Sequence, residues 1–173
     1  MKNAELFNEY ARDILNHELF LLGKNVFSHG SISIYEHSVA VAALAFSMAE
    51  DKKNIDKRCI VRAALLHDFF LYEWHVWGWR YIMHGWAHPA IAANKAREVF
   101  GINDREYSCI RTHMWPWTFW RMPRCREGWI ISMADKIVAL KEALFCRGRR
   151  SHLKDPISLT AGETEGLVSR GVY

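Results

Sequence analysis

The chain has 173 residues and a mass of 20.2 kDa, room for one domain over residues 1–150 and a polar tail over 151–173. Half of the residues are hydrophobic and 24% are charged, which excludes a disordered chain and permits a core without disulfides. The 23 basic and 19 acidic residues leave a net charge of +4, compatible with an anionic ligand and too small to point to a long nucleic acid.

Helical periodicity dominates, and no convincing strand is expected. Leu6, Phe7, Tyr10, Ile14, Leu15 and Leu19 form a first apolar stripe that Gly23 stops. A second helix starts at Ser33, with Glu36 completing a capping box, and runs to about Glu50. A third starts near Asp56 and carries Ile60, Val61, Ala64, Leu65 and His67. From Tyr72 to Trp86 the pattern breaks into an aromatic segment, read as an ordered loop. A fourth helix is expected from about Pro89 to Gly101. A fifth starts near Asn103, paired with Glu106, and ends before Pro116. Residues 114–128 read as a second loop rich in Trp and Arg, and the last long helix spans about Glu127 to Cys146 with Gly148 as its stop.

The four cysteines, Cys59, Cys109, Cys125 and Cys146, stand far apart with no Cys-x-x-Cys spacing. They read as reduced thiols of a cytoplasmic protein, not as a disulfide frame or a zinc knuckle. The N-terminus lacks an apolar leader segment, and the longest apolar run, Val39 to Met48, is too short to span a bilayer. No membrane partner is expected.

Nine histidines and a set of helix-borne aspartates carry the chemistry. His67-Asp68 ends a core-facing run, Ala63-Ala64-Leu65-Leu66, where a carboxylate and an imidazole need partners. Asp135 lies four residues after Ile131 and three before Val138, on an apolar helical face. A buried carboxylate paired with Lys, Arg or backbone donors would explain any one of these residues. His37, His67, Asp68, His88, His113 and Asp135, spread over five helices, are explained together by a metal ion. Imidazole plus carboxylate suits Fe, Mn, Zn or Ni, one or two per chain.

From about residue 30 to 146 the chain resembles the HD-domain superfamily of metal-dependent phosphohydrolases. Its H…HD…D pattern is matched by His37, His67-Asp68 and Asp135, the last within Met133-Ala134-Asp135-Lys136. His88-Pro89-Ala90 and Arg111-Thr112-His113 are similar to segments that bring two further histidines in binuclear members, including the HD-type diadenosine tetraphosphate hydrolases. The resemblance implies an all-α bundle of about six main helices around a metal site. It implies hydrolysis of a phosphate ester or anhydride, with a nucleotide as the favoured small substrate and metal-activated water as nucleophile. Asp68 would bridge two metals, with His37, His67 and Asp135 on one and His88 and His113 on the other. Many members carry a Lys shortly after the HD pair. Here Phe69-Phe70-Leu71-Tyr72-Glu73 follows, so phosphate contacts fall to Arg80, His84, Arg121, Arg124 or Lys136.

On this reading Asp68, His84 and Lys136 are the catalytic candidates. Arg80, Trp86, Trp115, Trp117, Arg121 and Arg124 are the substrate-binding candidates, since stacking surfaces beside cations suit a nucleotide. Most tryptophans also read as loop anchors, and His84 reads almost as well as a surface residue. His75 reads as structural, and His17, His29 and His152 as background. Arg147, Arg149 and Arg150 read as helix-end cations. Two other functions share the ligand set or the fold: a di-iron oxygenase and a non-catalytic ligand-binding module. The aromatic residues and the apolar spots of the tail would suit a homodimer.

Overall fold

Apolar residues at helical spacing build most of the molecule. The computed structural model describes residues 2–29, 32–69 and 80–152. In chain order these form α1 (Lys2–Leu15), α2 (Glu18–Leu21), a 3-10 turn (Leu22–Asn25), β1 (Phe27–His29), β2 (Ile32–Ser33), α3 (Ile34–Met48), α4 (Lys57–Leu66), α5 (Arg80–Phe100), α6 (Asp104–Thr112) and α7 (Arg126–His152). The all-α expectation holds, with α1 and α3 to α7 as the main helices.

Three helix starts follow from local chemistry. Ser33 caps α3 by accepting the Glu36 N–H, while the Glu36 carboxylate accepts the Ser33 N–H at 2.8 Å. Asn103 and Glu106 repeat this box at α6, and Asp56 caps α4 through the Cys59 N–H at 2.9 Å. These side chains satisfy donors that a helix N-terminus leaves unpaired.

Five expectations are corrected. The first apolar stripe breaks after Leu15. His17 caps the short α2 by accepting the Leu19 N–H at 3.2 Å and packs edge-on against Phe100, so it is a structural residue and not background. A two-stranded antiparallel ribbon pairs Phe27 with Ser33 and His29 with Ile32, too short for a period-two pattern to show. Helix α5 begins at Arg80, so the second part of the expected loop is helical and Pro89 lies inside the helix. Proline removes one backbone hydrogen bond there, which ends many helices but not this one. Helix α7 runs through Gly148 to His152, because a single internal glycine costs only about 1 kcal/mol. The earlier part of that loop, with Trp74, His75, Trp77 and Trp79, and the tail from residue 153 lie outside the described residues.

Helix α4 is the centre of the bundle. Every side chain from Cys59 to Leu66 is buried, and the helix packs against α1, α3, α6 and α7. Burial on all sides explains why it reads as a nearly continuous apolar run. The exception is Arg62, whose guanidinium meets Asp13 at 2.7 Å and Glu106 at 3.1 Å. Packing fixes the C-terminal end of α4 against α3, α6 and α7, and that end carries His67 and Asp68.

Candidate metal centre

His67 is the C-cap of α4, and Asp68 is the next residue. Leaving the helix at this point turns both side chains away from the apolar run that precedes them. His37 comes from the first turn of α3, His113 caps the C-terminus of α6, His88 stands inside α5 and Asp135 inside α7. The five helices deliver all six expected ligands to one place. Three overlapping groups have ligand atoms within 4.8 Å of one another: His37, His67 and Asp68; His67, His113 and Asp135; Asp68, His88 and His113.

The imidazoles are oriented by their outer nitrogens. The Nδ1–H of His67 donates to the Ala64 carbonyl at 2.7 Å, and that of His113 to the Ile110 carbonyl at 2.7 Å. The Nδ1–H of His37 donates to Glu142 Oε2 at 2.9 Å. Each acceptor holds the proton on Nδ1 and turns Nε2 inward, as metal-ligating histidines require.

The inner atoms face one another across short gaps. His37 Nε2 is 3.4 Å from Asp135 Oδ1, and His67 Nε2 is 3.7 Å from the same oxygen. Asp68 divides its two oxygens: Oδ2 lies 3.4 Å from His67 Nε2, while Oδ1 lies 3.7 Å from both His88 Nε2 and His113 Nε2. The Nε2 atoms of His88 and His113 are 3.2 Å apart. Two ligands each about 2.1 Å from one ion, at tetrahedral or octahedral angles, sit about 3.0–3.4 Å from each other. The observed spacings match or slightly exceed that. The buried Nε2 of His67 makes no hydrogen bond among the described residues, although two carboxylates stand close by. An orphaned ring nitrogen inside a cage of inward imidazoles and carboxylates fits a divalent cation.

Electrostatics without a metal tell the same story. Burial opposes charge on His67, but Asp68 and Asp135 outweigh it and raise its pKa to about 9. Burial and the neighbouring positive His67 push His113 down to about 3. Asp135 is held low, because His37 and His67 overcome the effect of burial. Asp68 is also lowered against burial, by His67, His88 and His113. Protons occupy the cluster where a cation would otherwise balance its carboxylates.

Three further residues serve the centre, of which Glu142 and Ser132 were not anticipated. Glu142, buried on α7, holds His37 through Nδ1. It follows Asp135 by seven residues, two helical turns, and that spacing was the available signal. Ser132 Oγ donates to the carbonyls of His113 and Trp115 at 2.8 and 3.0 Å. Lys136, a catalytic candidate, donates to the His113 carbonyl at 2.7 Å and to Asp135 Oδ2 at 3.2 Å. It thus fastens the end of α6 to α7 at the edge of the cluster.

The aromatic and basic candidates are placed unevenly. Trp115 packs edge-on against Trp129. Trp117 is 74% exposed, Arg124 is exposed and Arg121 is partly buried, all on the segment that leaves the cluster at His113. Arg80, His84 and Trp86 lie on the first turns of α5, with His84 four residues before His88. Their side chains lie outside the described residues.

A family model described as HD domain matches residues 34–140. This chain belongs to the HD domain family. The match spans more than half of the chain, from the first turn of α3 into α7, and contains all six clustered candidate ligands. The HD domain identifies a superfamily of metal-dependent phosphohydrolases, and the His/Asp cluster fits a metal site of that superfamily. No curated protein and no solved structure is significantly similar to the chain.

Proposed function

We propose that this HD domain hydrolyses a phosphate ester or anhydride, with a nucleotide as substrate, at a centre of two divalent metals. The observation that carries the reading is the division of Asp68, with one oxygen toward His67 and the other toward His88 and His113. His37, His67 and Asp135 would hold one ion, His88 and His113 the other, and Asp68 both. Ions held there supply a water that ionises near neutral pH and a Lewis acid for phosphoryl oxygens.

The chain's own residues do the rest. The Ala64, Ile110 and Glu142 acceptors keep His67, His113 and His37 in ligating orientation. An ammonium carries three protons; Lys136 uses two on His113 and Asp135 and keeps a third to offer a substrate phosphate. Arg121 and Arg124 add cations for further phosphates, and Trp117 offers a stacking face for a base. Arg80, His84 and Trp86, at the start of the helix that carries His88, complete the candidate substrate contacts. The Phe69-Phe70-Leu71-Tyr72-Glu73 segment lacks the lysine common in the superfamily, which places more of the phosphate binding on these residues.

The test is anaerobic release of phosphate from nucleotides, or of mononucleotides from dinucleoside polyphosphates, by protein reconstituted with Mn, Fe, Zn or Ni. Release that Asp68→Ala abolishes supports the reading. Oxygen consumption with no such release would move the chain to the di-iron oxygenase class. Neither activity, with tight nucleotide binding, would make it a ligand-binding module.

A further inference from the structure

Three of the four cysteines, widely separated in sequence, meet in the fold. Cys59 on α4, Cys109 on α6 and Cys125 just before α7 form a chain of sulfurs. Cys59 Sγ is 4.0 Å from Cys109 Sγ, and Cys109 Sγ is 3.5 Å from Cys125 Sγ. None is in a disulfide. Cys59 and Cys109 are buried, whereas Cys125 is partly exposed. Gly128 stands beside the 109–125 pair: a Cβ there would lie 3.2 Å from Pro123 Cβ, 3.6 Å from Cys125 Sγ and 3.7 Å from Cys109 Sγ.

Most buried thiols are inert packing groups. Cys125 differs in three ways. It is the N-cap residue of a 27-residue helix, its carbonyl accepting the Trp129 N–H at 3.3 Å, so its thiolate faces the positive end of the helix. Arg124 and Arg126 flank it in the chain. It also sits within reach of a second thiol that can attack it. We propose that Cys109 and Cys125 are a peroxide-sensitive dithiol that closes to an intramolecular disulfide and links α6 to the start of α7.

The Cys109 S–H and the Gly128 N–H both donate to Cys125 and lower its pKa to about 7, against burial and against the neighbouring Glu127 carboxylate, which also hydrogen-bonds the thiol. The same contacts with Cys125 and Cys59 hold the proton on Cys109. The division of roles follows: Cys125 reacts first and Cys109 resolves. The Cys125 thiolate attacks one oxygen of hydrogen peroxide. An S–O bond forms, the O–O bond breaks, and hydroxide leaves and is protonated to water. Cys109 sulfur then attacks the Cys125 sulfenic sulfur. The S–S bond forms, the S–O bond breaks, and the departing hydroxide takes the Cys109 proton. Two thiols lose two electrons in all, and one peroxide becomes two waters. Closing the bond needs about 1.5 Å of approach. Met122 to Cys125 lie outside any helix, so this short segment can move without unwinding α6 or α7.

The test is stoichiometric hydrogen peroxide on the full chain, followed by thiol titration and peptide mapping. The titre should fall from four thiols to two, with the bond mapped to Cys109–Cys125, the chain still monomeric by covalent mass, and reversal by dithiothreitol. At pH 7 Cys125 should be oxidised about threefold or more faster in the native chain than in the same chain unfolded in urea, because its larger thiolate fraction outweighs the lower nucleophilicity of a low-pKa thiolate. Cys109→Ser should stop the sequence at a sulfenic acid that dimedone traps on Cys125. Cys146→Ser should leave the bond unchanged. An undiminished titre, equal rates in the native and unfolded chains, or a bridge through Cys59, Cys146 or a second chain would overturn the proposal. The mapping of the unmodified chain decides the matter even if a substituted chain fails to fold.

Discussion

At the scale of single residues the centre is a problem of charge in a confined space. Without a metal, His67 holds a proton up to about pH 9 and His113 refuses one down to about pH 3. Both have an ordinary value of 6.5. Between pH 6.5 and 9 the native metal-free protein therefore binds a proton on His67 that the unfolded chain lacks, so stability falls as pH rises. Between pH 6.5 and 3 the unfolded chain binds a proton on His113 that the native state lacks, so stability falls as pH drops. Metal-free protein should be most stable near pH 6.5, measured as the urea midpoint across pH. With metal bound, the imidazoles carry no Nε2 proton, and the decline from pH 6.5 to 9 should vanish. A metal-free midpoint that rises over that window would refute the assignment. Glu142→Ala removes the acceptor that holds His37. Metal affinity should weaken about 10–100-fold with the fold intact, read by competition with a chromogenic chelator. The six candidate ligands were legible because their residue types and order are specific. Glu142 was not, since its seven-residue spacing from Asp135 hints at a shared face but does not reveal that its partner lies 105 residues earlier.

At the scale of helices, the clearest signals were those in which a few adjacent residues settle the structure. Ser33 with Glu36, Asp56, and Asn103 with Glu106 cap the helices they were expected to cap. Ser33→Ala should cost about 1 kcal/mol, visible as a lower urea midpoint with an unchanged slope. Pro89 and Gly148 misled because their local preference was overridden: α5 and α7 continue through them, and tertiary packing can outweigh propensity. Nor could spacing reveal that the apolar run of α4 hides a buried cation. Arg62 holds Asp13 and Glu106 together across three helices. Arg62→Ala would leave the buried Glu106 carboxylate without its partner, at a cost of about 3–5 kcal/mol. An effect below 1 kcal/mol would show that Glu106 finds another donor.

For the whole molecule, the candidate ligands come from five helices, so a metal bound by them would tie the bundle together. No described helix is long and apolar enough to cross a membrane, and the cluster draws only on the packed body of the fold. Binding to the native state alone stabilises it by about 4 kcal/mol when the free metal exceeds its dissociation constant a thousandfold. Removing metal with a chelator should therefore lower the melting temperature by about 8–16 °C, at roughly 2–4 °C per kcal/mol for this size. Adding the metal back should restore it. Calorimetry with and without chelator checks this, and an unchanged melting temperature would mean that the cluster holds no metal.

The division of Asp68 between two sets of imidazoles leads to a count. Metal content per chain should be measured by mass spectrometry on protein purified without a chelating column or a chelator, beside Asp68→Ala prepared in the same way. Two transition-metal ions per chain, lost in Asp68→Ala, is the result expected of a carboxylate that serves both ions. A single ion per chain that persists in Asp68→Ala, or no metal at all, would contradict a two-metal centre built on Asp68.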